Sequence, residues 1–182
     1  ISKKRAARII KEQIVLAVKR RIPKKRFGIL FSGGVDSTLI ALICRQLKAD
    51  FTCYSVGVKN SEDLQWAEKI AKKLKLKHKA KVFTLEELSE VVKKVAKIIK
   101  EPDVVKVGVG SVFYAAAEIA KKDKINILFS GLGSEEIFAG YERHLAASDI
   151  NKECWNGLKN SGVPQPLWPN TLQPQDHTLP SF

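Results

Sequence analysis

A polar loop between two apolar runs is the feature that most constrains how this chain folds. In GILFSGGVDSTLIALIC, residues 28–44, the first apolar run predicts a buried strand and the second predicts a buried helix. A fold needs only a turn between them, yet residues 32–38 read SGGVDST. Because ligands bind beyond the carboxyl ends of the strands in an open parallel sheet, this excess of glycine, hydroxyl and carboxylate groups indicates a binding site.

The rest of the chain alternates between strand and helix patterns. This alternation is typical of α/β proteins, and we predict an open parallel sheet of about four to five strands with helices on both faces. Ser37 or a near neighbour is expected to cap the helix at 37–48. Pro102 is expected to stop the helix at 85–100. The predicted strands are 26–32, 51–58, 78–84 and 125–131, and the predicted helices are 3–21, 37–48, 61–75, 85–100, 107–122 and 134–146.

Length and composition favour one globular domain followed by a short tail. The 182 residues are 45% hydrophobic and 28% charged, which is typical of a folded domain. All 32 Lys and Arg residues precede residue 161, whereas five of the seven prolines follow it. We therefore assign residues 1–160 to the domain and residues 161–182 to a proline-rich tail that is extended or non-native.

The sequence shows neither a membrane segment nor a disulfide framework. No apolar stretch approaches the roughly 20 residues of a membrane-spanning helix, and the first residues are too basic for a signal peptide. The three cysteines form no CxxC pair, which disfavours disulfides and a zinc site. We expect Cys44 and Cys53 to pack in the core and the protein to be cytoplasmic.

The formal net charge of +13 admits two explanations. It would suit a nucleic-acid partner, or it would attract an anionic small substrate. Lysine outnumbers arginine 25 to 7, and the lysines fall on predicted helix surfaces such as EKIAKKLKLKHKAK. Solvated helix faces are therefore favoured over an RNA-binding face, and nucleic acid stays open as the less favoured partner.

Residues 32–38 carry the groups of a phosphate site. Gly33 and Gly34 allow a sharp turn and the close approach of a ligand. The backbone N–H groups from Gly33 to Thr38 are expected at the N-terminus of a helix, where an anion is stabilised. The loop differs from the common P-loop because no lysine precedes its hydroxyl residues. Three side chains add hydroxyl donors: Ser32, Ser37 and Thr38.

Asp36 is the most informative residue of this loop. A carboxylate beside phosphates is repulsive unless a cation lies between them, so Asp36 is interpreted as a Mg²⁺ ligand. The alternative is that Asp36 caps the helix and that the glycines only form a tight turn.

The hexapeptide SGGVDS, Ser32 to Ser37, resembles the SGGxDS signature of the N-type ATP pyrophosphatases, or PP-loop ATPases. The resemblance implies an adenine nucleotide alpha hydrolase-like fold and cleavage of ATP between its α- and β-phosphates. Members of this superfamily adenylate an acceptor while the loop holds the departing pyrophosphate. A nitrogen or sulfur nucleophile then displaces AMP.

A second segment narrows the resemblance. FSGLGSEEIFAGYERH, residues 129–144, is similar to the corresponding segment of asparagine synthetases, and the resemblance extends over about residues 8–160. Ser134 is placed to cap a helix, with Glu135 and Glu136 in its first turn, where carboxylates also serve the helix dipole. The resemblance assigns Glu135, with Asp36, to Mg²⁺ and to catalysis.

The resemblance also implies an ATP site and an acceptor site. Tyr141, Arg143 and His144 are candidates for shaping the acceptor site, although a helix surface is the favoured explanation for Arg143 and His144. Leu30, Val56, Ser130 and Gly131 match positions around the adenosine, and simple strand packing is the alternative for Val56. The complete ATP-binding set is Leu30, Ser32, Gly33, Gly34, Val35, Asp36, Ser37, Thr38, Val56, Ser130 and Gly131.

Three functional hypotheses follow. The first is a synthetase domain that uses ATP and Mg²⁺ to adenylate a small carboxylate, aspartate by resemblance, with nitrogen from a separate glutaminase partner. The second is a tRNA-modifying PP-loop ATPase. The third is a non-catalytic nucleotide-binding module, because Leu132 stands where asparagine synthetases typically carry glutamate. A homo-oligomer stays open, since exposed apolar surface drives association.

Overall fold

The computed structural model describes residues 2–100 and 103–160. The strands are β1 Phe27–Leu30, β2 Phe51–Val58, β3 His78–Phe83 and β4 Leu128–Phe129. The helices are α1 Lys3–Arg21, α2 Val35–Gln46, α3 Glu62–Lys73, α4 Leu85–Ile99, α5 Val104–Lys122, α6 Ser134–Phe138, α7 Glu142–Leu145 and α8 Ile150–Asn160. The described residues form two compact units, one spanning Glu12–Gly131 and the other comprising those up to Lys11 and those from Leu132 onward.

The sheet lies wholly within the unit Glu12–Gly131. Its four strands are parallel and follow the order β3-β2-β1-β4, which confirms the predicted open parallel sheet. Phe27 pairs with Phe51, and Gly28 pairs with Leu128, so β1 is enclosed on both sides. A Cβ on Gly28 would clash with Leu128 Cδ2 and stand 2.9 Å from Cε2 of the buried Tyr54 ring, so a larger residue here would displace these side chains.

One face of the sheet is covered by α2 and α3. The rings of Phe27 and Phe129 meet at a centroid distance of 4.7 Å, and small residues of the two helices allow close packing on them. Burial raises the pKa of Cys44 to about 11 and that of Cys53 to about 12, so both thiols stay protonated, as expected of core residues. The buried cluster comprises Phe27, Ile29, Phe31, Ala41, Cys44, Phe51, Cys53, Ala67 and Ala71.

The opposite face is covered by α4 and α5. Val91 and Val95 of α4 pack with Ala115 of α5 and with Phe83 at the end of β3. Thr84 and Glu87 form a capping box at the start of α4, with hydrogen bonds of 3.2 and 3.0 Å. Helices therefore cover both faces of the sheet, as the alternation of strand and helix patterns predicts.

The strand order creates a crevice next to β1. The chain places β2 and then β3 on one side of β1, and returns to place β4 on its other side. Ligands bind at the carboxyl ends of the strands where the order reverses in this way, here between β1 and β4. Residues 31–38 follow β1, and Ser130 and Gly131 follow β4.

Two predicted helix caps are wrong. The residue before α2 is Gly34, which makes no side-chain capping bond, and Ser37 lies inside the first turn. The residue before α6 is Gly133, at φ 93°, and Ser134 is the first helical residue. Only Gly133 has a positive φ that favours glycine, but in both cases the serine hydroxyl makes another bond: Ser37 donates to Gly34 O and Ser134 donates to Glu135.

Two predicted elements differ most from the structure. The strand predicted at 125–131 is reduced to β4, because the main chain of Ile125 still closes the turn after α5 by donating to Ala120 O at 3.0 Å. The helix predicted at 134–146 is divided into α6 and α7. Ala139 adopts φ 55°, and Gly140 N donates to Glu135 O at 2.9 Å, which terminates α6.

Helix α4 ends at a left-handed residue, and the expected stop at Pro102 stays a prediction. Lys100 adopts φ 57° and its N–H closes on Ala96 O, so the helix ends at Ile99. Pro102 and the proline-rich tail of residues 161–182 lie outside the described residues. The helix α8 was not predicted.

Candidate functional site

The loop after β1 is held directly against α3. Gly33 is buried and adopts φ 74°, a conformation that favours glycine. A Cβ on Gly33 would stand 3.0 Å from Ala67 Cα and 3.1 Å from Trp66 Cδ1. The first glycine of the motif therefore provides both the turn and the contact with α3.

Hydroxyl groups close the loop on itself. Ser37 Oγ donates to Gly34 O at 3.3 Å, so its single proton is used. Ser37 Oγ accepts from Ser32 N at 3.3 Å and from Ser32 Oγ at 3.2 Å. Ser32 Oγ in turn accepts from Gly34 N at 3.2 Å. These bonds connect the two ends of the motif and fix the backbone before any ligand is bound.

The N-terminus of α2 supplies anion-binding groups. The N–H groups of Val35, Asp36 and Ser37 belong to the first turn and have no intrahelical acceptor. The N–H of Thr38 is already bonded to Gly34 O at 3.0 Å. Thr38 Oγ1 is buried and finds no hydrogen-bond partner among residues 2–100 and 103–160. The cradle thus contains one hydroxyl that its own structure does not use.

Asp36 does not act as a helix cap. It is the second residue of α2, and its carboxylate makes no hydrogen bond or ion pair within the part of the chain that the structure describes. It is partly exposed. A carboxylate without a protein partner at the start of a helix fits a hard cation such as Mg²⁺, which prefers oxygen ligands.

Three of the four residues assigned to the adenosine lie at the ends of β1 and β4. Leu30 ends β1 and pairs with Tyr54, while Ser130 and Gly131 follow β4. A Cβ on Gly131 would stand 2.7 Å from Asp36 Cβ and 3.3 Å from Ser37 N, so the backbone after β4 lies against the first turn of α2. Val56 lies further along β2 and also packs against the cluster on the α4 and α5 face.

Two groups beside the loop have no role in the sequence prediction: the Ser55–His78 pair and the indole of Trp66. Ser55 Oγ contacts His78 Nε2 at 2.7 Å and donates to Phe31 O, immediately before the loop. Because the hydroxyl proton goes to Phe31, the imidazole is the donor toward Ser55. Burial lowers the pKa of His78, and Glu68 opposes that change. The sequence signal for the Ser55–His78 pair is a serine inside an apolar strand. Trp66 of α3 is the second neighbour of the loop.

The segment after Gly131 forms a cluster of polar side chains. Ser134 Oγ donates to Glu135 Oε2 at 3.1 Å, and Tyr141 donates to Glu136 Oε1 at 3.3 Å. Burial raises the pKa of Tyr141, as do the two nearby glutamates. Arg143 pairs with Glu153 of α8 at 3.2 Å and lies 4.1 Å from the ring of Tyr141.

The helix-surface interpretation of His144 is wrong. His144 is fully buried, and its Nδ1 accepts from Tyr141 N at 3.2 Å. Its Nε2, like Glu136 Oε2, has no hydrogen-bond partner among the residues described. Arg143 is exposed, as that interpretation expects. The turn between α6 and α7 changes the helical phase and therefore directs His144 inward.

Other site classes receive no support within the described residues. No group of three or more His, Cys, Asp or Glu side chains has the arrangement of a metal site there. A cavity of about 590 Å³ lies between α4, α5 and β4, but its lining is mainly apolar, including Val95, Ile99 and Phe113. In residues 2–100 and 103–160, no helix is both long and apolar enough to cross a membrane.

Comparison with known proteins agrees with the two motifs. The profile of the asparagine synthase family matches residues 10–176. A putative glutamine-hydrolyzing asparagine synthetase of Methanocaldococcus jannaschii is 44% identical over 186 aligned positions, covering 96% of this chain and 33% of the relative. The glutamine-hydrolyzing asparagine synthetase of Gallus gallus is 32% identical over 130 positions, covering 68% of this chain and 23% of the relative.

A solved structure supports the fold. The ammonia-dependent NAD synthetase of Campylobacter jejuni superposes with a TM-score of 0.50 at 19% identity, covering 74% of this chain and 60% of that one. This likeness confirms the α/β architecture. The chain spans about a third of the archaeal relative and about a quarter of the avian one.

Proposed function

The chain belongs to the asparagine synthase family, and on that premise we propose that it binds ATP at the loop after β1 and uses it to adenylate a small carboxylate. The observation that carries the proposal is the arrangement of residues 32–38 at the N-terminus of α2, beside the crevice between β1 and β4. By family resemblance, the acceptor is aspartate. Amide formation then follows.

The protein groups act first by holding the pyrophosphate part of ATP. The first-turn N–H groups of α2 and the unpaired hydroxyl of Thr38 supply donors to phosphate oxygens. The bonds among Ser32, Gly34 and Ser37 keep these donors in place, so little reorganisation is needed as charge develops on the leaving group. The residues proposed around adenosine are Leu30, Val56, Ser130 and Gly131.

Asp36 is the residue we propose to hold Mg²⁺. Its unpaired carboxylate fits a hard cation, as described above, and Glu135 joins it by family resemblance. When bound, Mg²⁺ neutralises phosphate charge and polarises the phosphoryl oxygens. Ser134 orients the Glu135 carboxylate through its 3.1 Å hydrogen bond. No covalent protein nucleophile is required, because the acceptor carboxylate itself attacks the α-phosphorus.

The nitrogen source belongs to the same proposal. The relatives named above are glutamine-hydrolyzing enzymes, and we propose that ammonia reaches this domain from a glutaminase unit. A second candidate is a non-catalytic nucleotide-binding module. The specific observation in its favour is Leu132, an exposed apolar residue where asparagine synthetases typically carry glutamate.

Exchange of labelled pyrophosphate into ATP tests the proposal. The protein is incubated with ATP, Mg²⁺, labelled pyrophosphate and either aspartate or another small carboxylate. We expect exchange that depends on the carboxylate, because adenylation is reversible until the amine reacts. Asp36→Asn is expected to abolish exchange, whereas the matched variant Asp50→Asn, at an exposed carboxylate paired with Lys77, is expected to retain it. Binding of ATP without exchange would favour the non-catalytic module instead.

A further inference from the structure

Trp66 makes a contact with the loop that the motif itself does not explain. The side chain lies on α3 and is 49% exposed. Its Nε1–H donates to Gly33 O at 3.1 Å, across 33 residues of sequence. An exposed aromatic residue is thus hydrogen-bonded to the backbone of the first glycine in the motif.

This hydrogen bond fixes one peptide plane of the loop. Gly33 C=O and Gly34 N–H belong to the same planar trans peptide, so they point in opposite directions. With the carbonyl directed at Trp66, Gly34 N–H faces the loop interior, where it donates to Ser32 Oγ at 3.2 Å. Glycine on both sides of this peptide leaves it free to rotate unless an external contact restrains it.

The α3 helix provides a rigid support for that restraint. Ala67 and Ala71 are in the core, and Ser61 caps the helix by accepting from Leu64 N at 3.2 Å. Lys69 Nζ lies 5.3 Å from the centroid of the Trp66 ring, within the range of a cation–π contact. The indole is therefore fixed at its base by the helix and covered on one side by a cation.

We propose that Trp66 is a positioning residue for diphosphate binding: it holds the Gly33–Gly34 peptide in the orientation in which Gly34 N–H braces the loop through Ser32 Oγ, and so keeps the first-turn N–H groups of α2 in place for the diphosphate. The inference rests on the proposed ATP site. We assign the effect of Trp66 to binding of the β- and γ-phosphates, because residues 33–34 belong to the pyrophosphate loop and not to the strand ends around adenosine. Loss of the indole N–H is therefore expected to change the affinity for inorganic pyrophosphate and not the affinity for AMP.

The test compares Trp66→Phe with the unaltered chain. Phenylalanine keeps an aromatic ring on α3 but removes the donor. Dissociation constants for inorganic pyrophosphate and for AMP are measured by calorimetry with Mg²⁺ present, together with the thermal unfolding midpoint. Trp155→Phe, which removes an indole N–H in the other compact unit, is the matched control. The amide resonance of Gly34 is followed in both variants.

We expect Trp66→Phe to weaken pyrophosphate binding roughly two- to tenfold, the range for losing one neutral hydrogen bond, and to leave AMP binding unchanged. The Gly34 amide resonance is expected to shift in Trp66→Phe and not in Trp155→Phe. Equal pyrophosphate affinity in the variant and the unaltered chain would overturn the inference alone, as would parallel weakening of pyrophosphate and AMP. An unaltered chain that binds neither ligand would overturn the proposed function and this inference with it.

Discussion

Two segments follow neighbouring strands of the same sheet, but different forces hold them. Residues 32–38 are fixed by backbone and hydroxyl hydrogen bonds and lie on the buried residue Ala67. Residues 134–145 form two helices of five and four residues, joined at Ala139 in a left-handed conformation. Their contacts are mainly between side chains, such as Arg143 with Glu153 and Tyr141 with Glu136.

This difference separates a loop fixed by its own hydrogen bonds from a segment that depends more on contacts between side chains. The first segment presents fixed donors, which suits a phosphate group whose geometry is the same in every nucleotide. The second exposes large apolar side chains, among them Ile137 at 59% and Leu145 at 85%, and keeps buried polar atoms of Glu136 and His144 unpaired within the described residues. Its order depends more on charge pairs and is expected to respond to salt.

The largest expected effect is on nucleotide binding by the first segment. Asp36→Asn removes the proposed metal ligand without removing any hydrogen bond of the loop, so the fold is expected to persist. Mg²⁺-dependent ATP affinity is expected to fall by about 100-fold or more, because losing an outer-shell partner of a metal ligand already costs about 10- to 100-fold and Asp36 is the proposed ligand itself. Calorimetry with and without Mg²⁺ measures it, with Asp50→Asn as the control. Equal Mg²⁺ dependence in Asp36→Asn and the unaltered chain would contradict the metal assignment.

The next effect concerns the backbone of the same segment. Gly33→Ala places a Cβ 3.0 Å from Ala67 Cα and forces alanine into a positive-φ conformation. We expect a loss of about 1–3 kcal/mol in the free energy of unfolding, measured by urea titration.

Gly108→Ala is the matched control for Gly33→Ala. Gly108 lies in α5, and a Cβ there would meet no atom within 4 Å. This change is expected to increase stability by about 0.5–1 kcal/mol, because alanine is the better helix former. If both substitutions had the same sign, backbone strain would not explain the role of Gly33.

The pH dependence of unfolding tests the support behind the first segment. Burial lowers the pKa of His78 below its usual 6.5, so the unfolded state binds more protons as the pH falls below that value. The contribution of His78 is therefore fully present above pH 6.5 and is lost as the pH falls through the lowered pKa. His78→Gln, which keeps a donor toward Ser55, is expected to show a smaller loss of stability between pH 7.5 and pH 5.5. If the free energy of unfolding changed with pH by the same amount in His78→Gln and in the unaltered chain, this role of His78 would be contradicted.

The smallest effect is expected in the second segment. Arg143→Met removes a partly exposed ion pair with Glu153 and a cation over the ring of Tyr141. We expect Arg143→Met to lower the stability of this segment by less than about 1 kcal/mol, measured as hydrogen-exchange protection of α8. High salt is expected to reduce this difference between the variant and the unaltered chain further. A loss that is larger than this and insensitive to salt would show that the segment is held as firmly as the loop.

The sequence predicts the parts of this molecule that depend on local pattern. Alternating strand and helix periods indicate the parallel sheet, and SGGVDS between two apolar runs indicates the loop, because both signals lie within a few residues. The contacts of Trp66 with Gly33 and of His78 with Ser55 join distant residues through tertiary packing. No single-sequence pattern reports those distances.

The errors at helix ends have a related cause. Gly34 and Gly133 precede their helices where serines looked like better caps, and the serine hydroxyls make other bonds. Gly133 has a positive φ that favours glycine, whereas Gly34 has an ordinary extended conformation. The break at Ala139 depends on a left-handed conformation of a residue that usually favours helix. The burial of His144 follows from that break and could not be predicted without it.

Mapping pyrophosphate onto the chain by amide chemical shifts tests the central claim most directly. A protein with a net charge of +13 attracts polyanions to many surfaces, so affinity alone does not identify the site. We expect Mg²⁺ and inorganic pyrophosphate together to shift the amide resonances of residues 33–38 most strongly. Shifts concentrated instead on the lysine-bearing strand β3 and helix α4, with residues 33–38 unchanged, would contradict it.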